Sequence, residues 1–110
     1  GAAHDRELLA YAKKRFSQYS GVKLFSPSRL QDTGGVLSFT VAGAHPHDIA
    51  TIFNEEGIAI RSGLHCAEPL INRLGVAATA RLSFYLYNTK KDIDAAEKAL
   101  KKVLKIFKVK

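Results

Sequence analysis

Gly57-Ile58-Ala59-Ile60-Arg61-Ser62-Gly63-Leu64-His65-Cys66-Ala67-Glu68-Pro69-Leu70 contains the only cysteine of the chain and joins the signals of three kinds of element. Gly57 is placed to stop a helix, Ile58-Ala59-Ile60-Arg61 reads as a short strand, and Pro69 can open the next helix. Cys66 is therefore expected on a Gly63-containing loop. Three residues ahead of Pro69, its sulfur would lie near unpaired amide N–H groups and the positive end of a helix dipole, which favours thiolate. Arg61 and His65 are the nearest cationic partners in sequence. A free cysteine is also among the most buried residue types and packs as a small hydrophobe, so local sequence leaves a reactive and an inert thiol both open.

Working outward, residues 46–56 lead into this stretch as a helix. Pro46 sits in its first turn, Asp48 near its N-terminus, and Ile49, Ile52 and Phe53 turn inward. Val36-Leu37-Ser38-Phe39-Thr40-Val41 alternates and is rich in strand formers, and Val22-Lys23-Leu24-Phe25 is a short strand expected beside it. An amphipathic helix over about 4–19 carries Leu8, Leu9, Ala12, Phe16 and Tyr19 on one side, with Gly21 placed to end it. Beyond the cysteine, residues 68–74 offer one or two helical turns closed by Gly75, and 80–85 alternate as a strand. A last helix buries Ile93, Ala96, Leu100, Val103, Leu104 and Phe107, with Thr89 and Asp92 as a capping pair. The order is helix, two strands, helix, strand, short helix, strand, helix. It predicts an α+β fold, a small mostly antiparallel sheet covered by helices, built as a single domain over residues 1–110.

A composition of 46% hydrophobic and 25% charged residues suits a globular domain, and no apolar stretch is long enough for a membrane span. A lone cysteine makes no internal disulfide, so a soluble, cytoplasmic protein is expected. The net charge of +7 invites a nucleic-acid reading, since eight of the 17 basic residues fall in positions 90–110. They alternate with the apolar stripe of the last helix, and no aromatic platform interleaves with them. A solvated helix face is therefore favoured over a nucleic-acid or membrane surface. Gly34-Gly35 lacks the pattern of a phosphate loop.

Among chemically capable residues, His45 and His47 flank a proline and are better suited to capping the helix than to holding a metal. Adjacent His65 and Cys66 ligate one ion only with awkward geometry, so no metal is expected. Arg81, between Ala80 and Leu82, should be partly enclosed and should have an anionic partner, either a protein carboxylate or a ligand.

Residues 61–70, followed by Thr79-Ala80-Arg81-Leu82-Ser83-Phe84-Tyr85-Leu86-Tyr87-Asn88-Thr89, resemble the C-terminal part of SufS-type (group II) cysteine desulfurases and selenocysteine lyases. These are pyridoxal-phosphate enzymes of the class V aminotransferase superfamily. The resemblance extends back through Gly43-Ala44-His45-Pro46-His47-Asp48 and covers nearly the whole chain. It implies that Cys66 accepts sulfur from L-cysteine (or selenocysteine) as a persulfide, that Arg81 holds the substrate carboxylate, and that Arg61 is a further active-site arginine, with His65 in support. It implies pyridoxal phosphate bound mainly by a large domain, a homodimer in the full-length form, and a sulfur-acceptor protein serving iron–sulfur cluster assembly. The Ser-x-His-Lys signature of the cofactor lysine is absent here, so the chain is expected to be an excised C-terminal domain, inactive alone. A stand-alone sulfur carrier and a non-catalytic protein- or RNA-binding module are the alternatives. Leu64 stands where many relatives carry another histidine, which leaves that residue's role without an owner.

Overall fold

In a computed structural model of the chain, residues 2–25, 35–66, 76–83, 87 and 89–109 are described. They form α1 (Ala2–Phe16), β1 (Val22–Phe25), β2 (Val36–Val41), α2 (Pro46–Glu55), β3 (Ile60–Cys66), β4 (Val76–Ser83) and α3 (Lys90–Ile106). The four strands make one antiparallel sheet in the order β1-β2-β4-β3, confirming the α+β architecture. β2 and β3 are joined through α2, and β4 inserts between them, so β4 has a neighbour on both sides.

One face of the sheet meets the helices. Leu8, Ala12 and Phe16 of α1, at i, i+4 and i+8, meet Leu37, Phe39 and Val41, the alternate residues of β2. Ile49 and Phe53 of α2 and Ile93, Ala96, Leu100 and Val103 of α3 complete the same core. Phe39 is its centre: the Phe16 ring meets it edge-on at 5.2 Å between centroids, and Phe53 lies at 6.0 Å. Ile60 and Leu82, opposite each other on β3 and β4, also face inward.

The local signals for caps are met. His45 caps α2, its Nδ1 accepting from the His47 N–H at 3.0 Å, with Pro46 in the first turn. Gly57 ends α2 with φ +79°, a conformation glycine adopts without a Cβ penalty. Asp92 accepts from the Thr89 N–H at 3.1 Å at the start of α3.

Two expectations are corrected. α1 stops at Phe16 rather than near Tyr19, and Gly21 is not its cap. The chain turns over 17–20, where the Tyr19 carbonyl accepts from the Val22 N–H at 3.0 Å and starts β1. Cys66 is not on a loop: β3 runs through Gly63 to Cys66, paired residue by residue with β4, and β4 itself begins at Val76 rather than 80. The ladder that organises 62–66 is contributed by residues distant in sequence, and local glycine content does not report it. The helical turns expected over 68–74 lie outside the described residues.

Candidate functional site

The start of β3 is held from two sides. Asn54 of α2 accepts from the Ile60 N–H and donates to its carbonyl, both at 3.4 Å, while the Tyr87 hydroxyl donates to the Ala59 carbonyl at 2.9 Å. Paired with β4, β3 takes a register that places Ile60 opposite Leu82 on the core face. Arg61 is consequently opposite Arg81 on the other face.

Phe25, Ser38, Arg81 and Arg61 thus form one row across the whole sheet. Arg61 is exposed, Arg81 is half-buried and Ser38 is buried. The anionic partner expected for Arg81 is not found among the described residues. Its Nε is buried without a hydrogen-bond partner among the described residues, and the described ion pairs, Arg15–Glu97 and Lys102–Glu56, involve neither arginine of the row. Like charges directly opposite each other in a sheet are destabilising, so two guanidiniums in register make a site that favours an anion.

Gly63 lies beside Arg81. A Cβ placed on it would lie 3.1 Å from Arg81 Cδ and 3.7 Å from Nη1, so the arginine leans across β3 toward Gly63. Opposite Gly63 stands Thr79, fully buried at 0% exposure, whose Oγ1 also has no hydrogen-bond partner among the described residues. His65 pairs with Ala77 and Cys66 with Val76 at the far end of the hairpin. The backbone therefore brings Arg61 and Arg81 together and sets Cys66 five residues along β3 from Arg61, about 17 Å at the usual strand rise. The sequence marks Gly63 only as the glycine of an expected loop and does not single out Thr79. The only signal was the alternation of Thr79 with Arg81, and it needed the β3–β4 register to acquire meaning.

Away from this face, the structure gathers no group of three metal-capable side chains among the described residues. No described helix is long and apolar enough to cross a membrane. The model of the class-V aminotransferases matches residues 1–96, most of the chain. The chain belongs to the class-V aminotransferase family. Within that family it is 48% identical over 104 residues to a probable cysteine desulfurase of Halalkalibacterium halodurans, a match covering 94% of this chain and 25% of the relative. A probable cysteine desulfurase of Staphylococcus epidermidis is 44% identical with the same coverage. Among solved structures, the cysteine desulfurase CsdA of Escherichia coli, in an S-sulfonic acid form, superposes with a TM-score of 0.75 at 39% identity. It is covered to 25%, and 96% of this chain takes part. A cysteine desulfurase of Thermococcus onnurineus NA1 gives 0.74 at 32% identity, with 94% of this chain and 26% of that one covered. This class-V aminotransferase chain thus spans about a quarter of the length of the relatives it matches.

Proposed function

We propose that the chain is the C-terminal domain of a SufS-type cysteine desulfurase, to which it contributes the sulfur-accepting thiol of Cys66 and the substrate-carboxylate arginine Arg81. The observation that carries this reading is Arg81 itself. It is a half-buried guanidinium on the central strand β4, its Nε without a partner among the described residues and a second arginine opposite, in a chain 48% identical to a probable cysteine desulfurase. A planar, two-pronged cation in that position suits the carboxylate of an amino acid, and Arg61 adds positive potential at the open side of the same row.

The described residues do not make a seat for pyridoxal phosphate. Every described lysine is exposed, none is in register with Arg81, and none in the sequence follows a Ser-x-His. The cofactor, which supplies an electron sink at the substrate's α-carbon, is assigned to the remainder of the protein. This chain's work is at the substrate's two ends. Arg81 holds the carboxylate. The Cys66 thiolate forms a bond to the substrate sulfur as the Cβ–Sγ bond breaks; the electron pair of that bond stays with carbon, which takes a proton and leaves as alanine. Cys66 keeps the sulfur as a persulfide for an acceptor protein. Cytoplasmic iron–sulfur cluster assembly, a homodimeric holoenzyme, and L-cysteine or selenocysteine as substrate complete the reading.

Intact-mass measurement tests it. The chain is incubated with L-cysteine and pyridoxal phosphate, alone and with the cofactor-binding remainder of a desulfurase, with Cys66→Ala as control. The expected result is one sulfur added, removable by reductant, only in the combined mixture and only with Cys66 present. Sulfur gained by the chain alone would overturn the requirement for the remainder. No gain in a mixture shown to associate would sink the sulfur-accepting role.

A further inference from the structure

We infer that Gly63 is a positioning residue for Arg81, its bare backbone forming the floor on which the arginine lies, and that the Thr79 hydroxyl is the second donor of the same carboxylate seat. This rests on the reading of Arg81 as the carboxylate-binding residue. Gly63 has no backbone reason to be glycine: the glycines with positive φ are Gly43 and Gly57, whereas Gly63 is an interior strand residue with an ordinary φ. A glycine in a strand interior weakens the strand and often marks a close approach by another group. Here that group is Arg81, whose Cδ would lie 3.1 Å from any Cβ at this position. Alanine would therefore move the arginine stem by a few tenths of an ångström and the guanidinium with it.

Thr79 supplies the independent observation. It stands opposite Gly63 and two residues from Arg81, so all three belong to the face away from the helices. Its Oγ1 and the Arg81 Nε are the two buried side-chain polar atoms without a hydrogen-bond partner among the described residues. Buried polar atoms are costly when unmet, and a carboxylate seated on this face would accept from the hydroxyl and from the guanidinium. Ser38 flanks Arg81 from β2 and keeps the seat polar on its other side.

The test uses the 110-residue chain and the Arg81 Nε–Hε and Gly63 amide resonances, titrated with L-alanine and with L-alaninamide, which lacks only the carboxylate. Saturable shifts are expected with L-alanine and not with the amide. Gly63→Ala and Thr79→Val should each weaken L-alanine about three- to tenfold, a fraction of the roughly hundredfold that a displacement of about 1 Å costs in a preorganised site. The urea midpoint should not fall in either variant. Gly63→Ala should also raise the fast-timescale mobility of the Arg81 Nε–H vector, which a purely structural glycine would leave alone. Unchanged L-alanine affinity in both variants, with binding lost in Arg81→Lys, would overturn this inference while sparing Arg81's role. Binding that survives Arg81→Lys would overturn both, and binding absent from the unsubstituted chain would overturn the inference that this chain's own residues complete the seat.

Discussion

Arg61 and Arg81 face each other across the β3–β4 ladder with no carboxylate of the described residues between them, an arrangement that costs folding free energy. Neutralising the exposed member should therefore stabilise the chain. Arg61→Gln is expected to raise stability by about 0.2–1 kcal/mol in urea unfolding, with a smaller gain at high salt. The Arg61→Gln/Arg81→Gln double variant should gain less than the sum of the single changes. Equal, salt-independent effects that add would show that the two charges do not interact. At this scale the sequence was informative where chemistry is local. Arg81 stood out as a cation between Ala80 and Leu82, and His45 as a cap before Pro46. Gly63 and Thr79 meet only through the strand opposite, and local sequence points Cys66 to a loop because the pairing of 62–66 lies with residues 76–80.

Between elements, α1 and α3 are joined by a buried carboxylate. Glu97 is only 4% exposed and accepts from Arg15 at 2.6 and 3.2 Å and from the Tyr19 hydroxyl, while Tyr11 donates to Asp94 at 2.6 Å nearby. Burial pushes Glu97 up, but the hydrogen bonds from Arg15 and Tyr19 outweigh it and hold the carboxyl below its ordinary 4.5. A depressed carboxyl binds fewer protons folded than unfolded near that value. Its contribution is thus complete above about 4.5 and is lost as pH falls through the folded pKa. Tyr19 has the opposite sign: burial, then the bond to Glu97, push it from 10.0 up to about 12. Its contribution is complete below 10.0 and disappears as pH rises through about 12. Glu97→Gln should cost about 1–3 kcal/mol at neutral pH and flatten the acid limb of the stability profile, as followed by thermal melts. An acid limb unchanged from the parent would remove Glu97 from that role. The caps of α2 and α3 were legible because their partners lie within three residues. The end of α1 was not, since Tyr19 answers to a carboxylate 78 positions away.

At the scale of the molecule, the α+β class followed from two periodicities, 3.6 in the helices and 2 in β2, whereas the strand order β1-β2-β4-β3 is a non-local fact that no single stretch carries. That order puts β4, with Arg81 and Thr79, in the interior of the sheet, and it leaves the helices on the opposite face. Although the chain spans about a quarter of its relatives' length, its core is closed by its own parts. α1 and α3 pack against each other, α2 packs on α3, β3 and β4, and Phe39 is enclosed by rings from α1 and α2. A core that runs through every described helix, with a carboxylate tying the first helix to the last, should unfold as one unit. The expected outcome is a single urea transition, coincident by far-ultraviolet circular dichroism and tyrosine fluorescence. Its slope should be about 1–3 kcal/mol/M, with a total within the roughly 5–15 kcal/mol of ordinary domains. Phe39→Ala should lower stability by about 3–5 kcal/mol. Separate transitions for the two probes would mean that the helices and the tyrosine-bearing parts of the core do not melt as one unit.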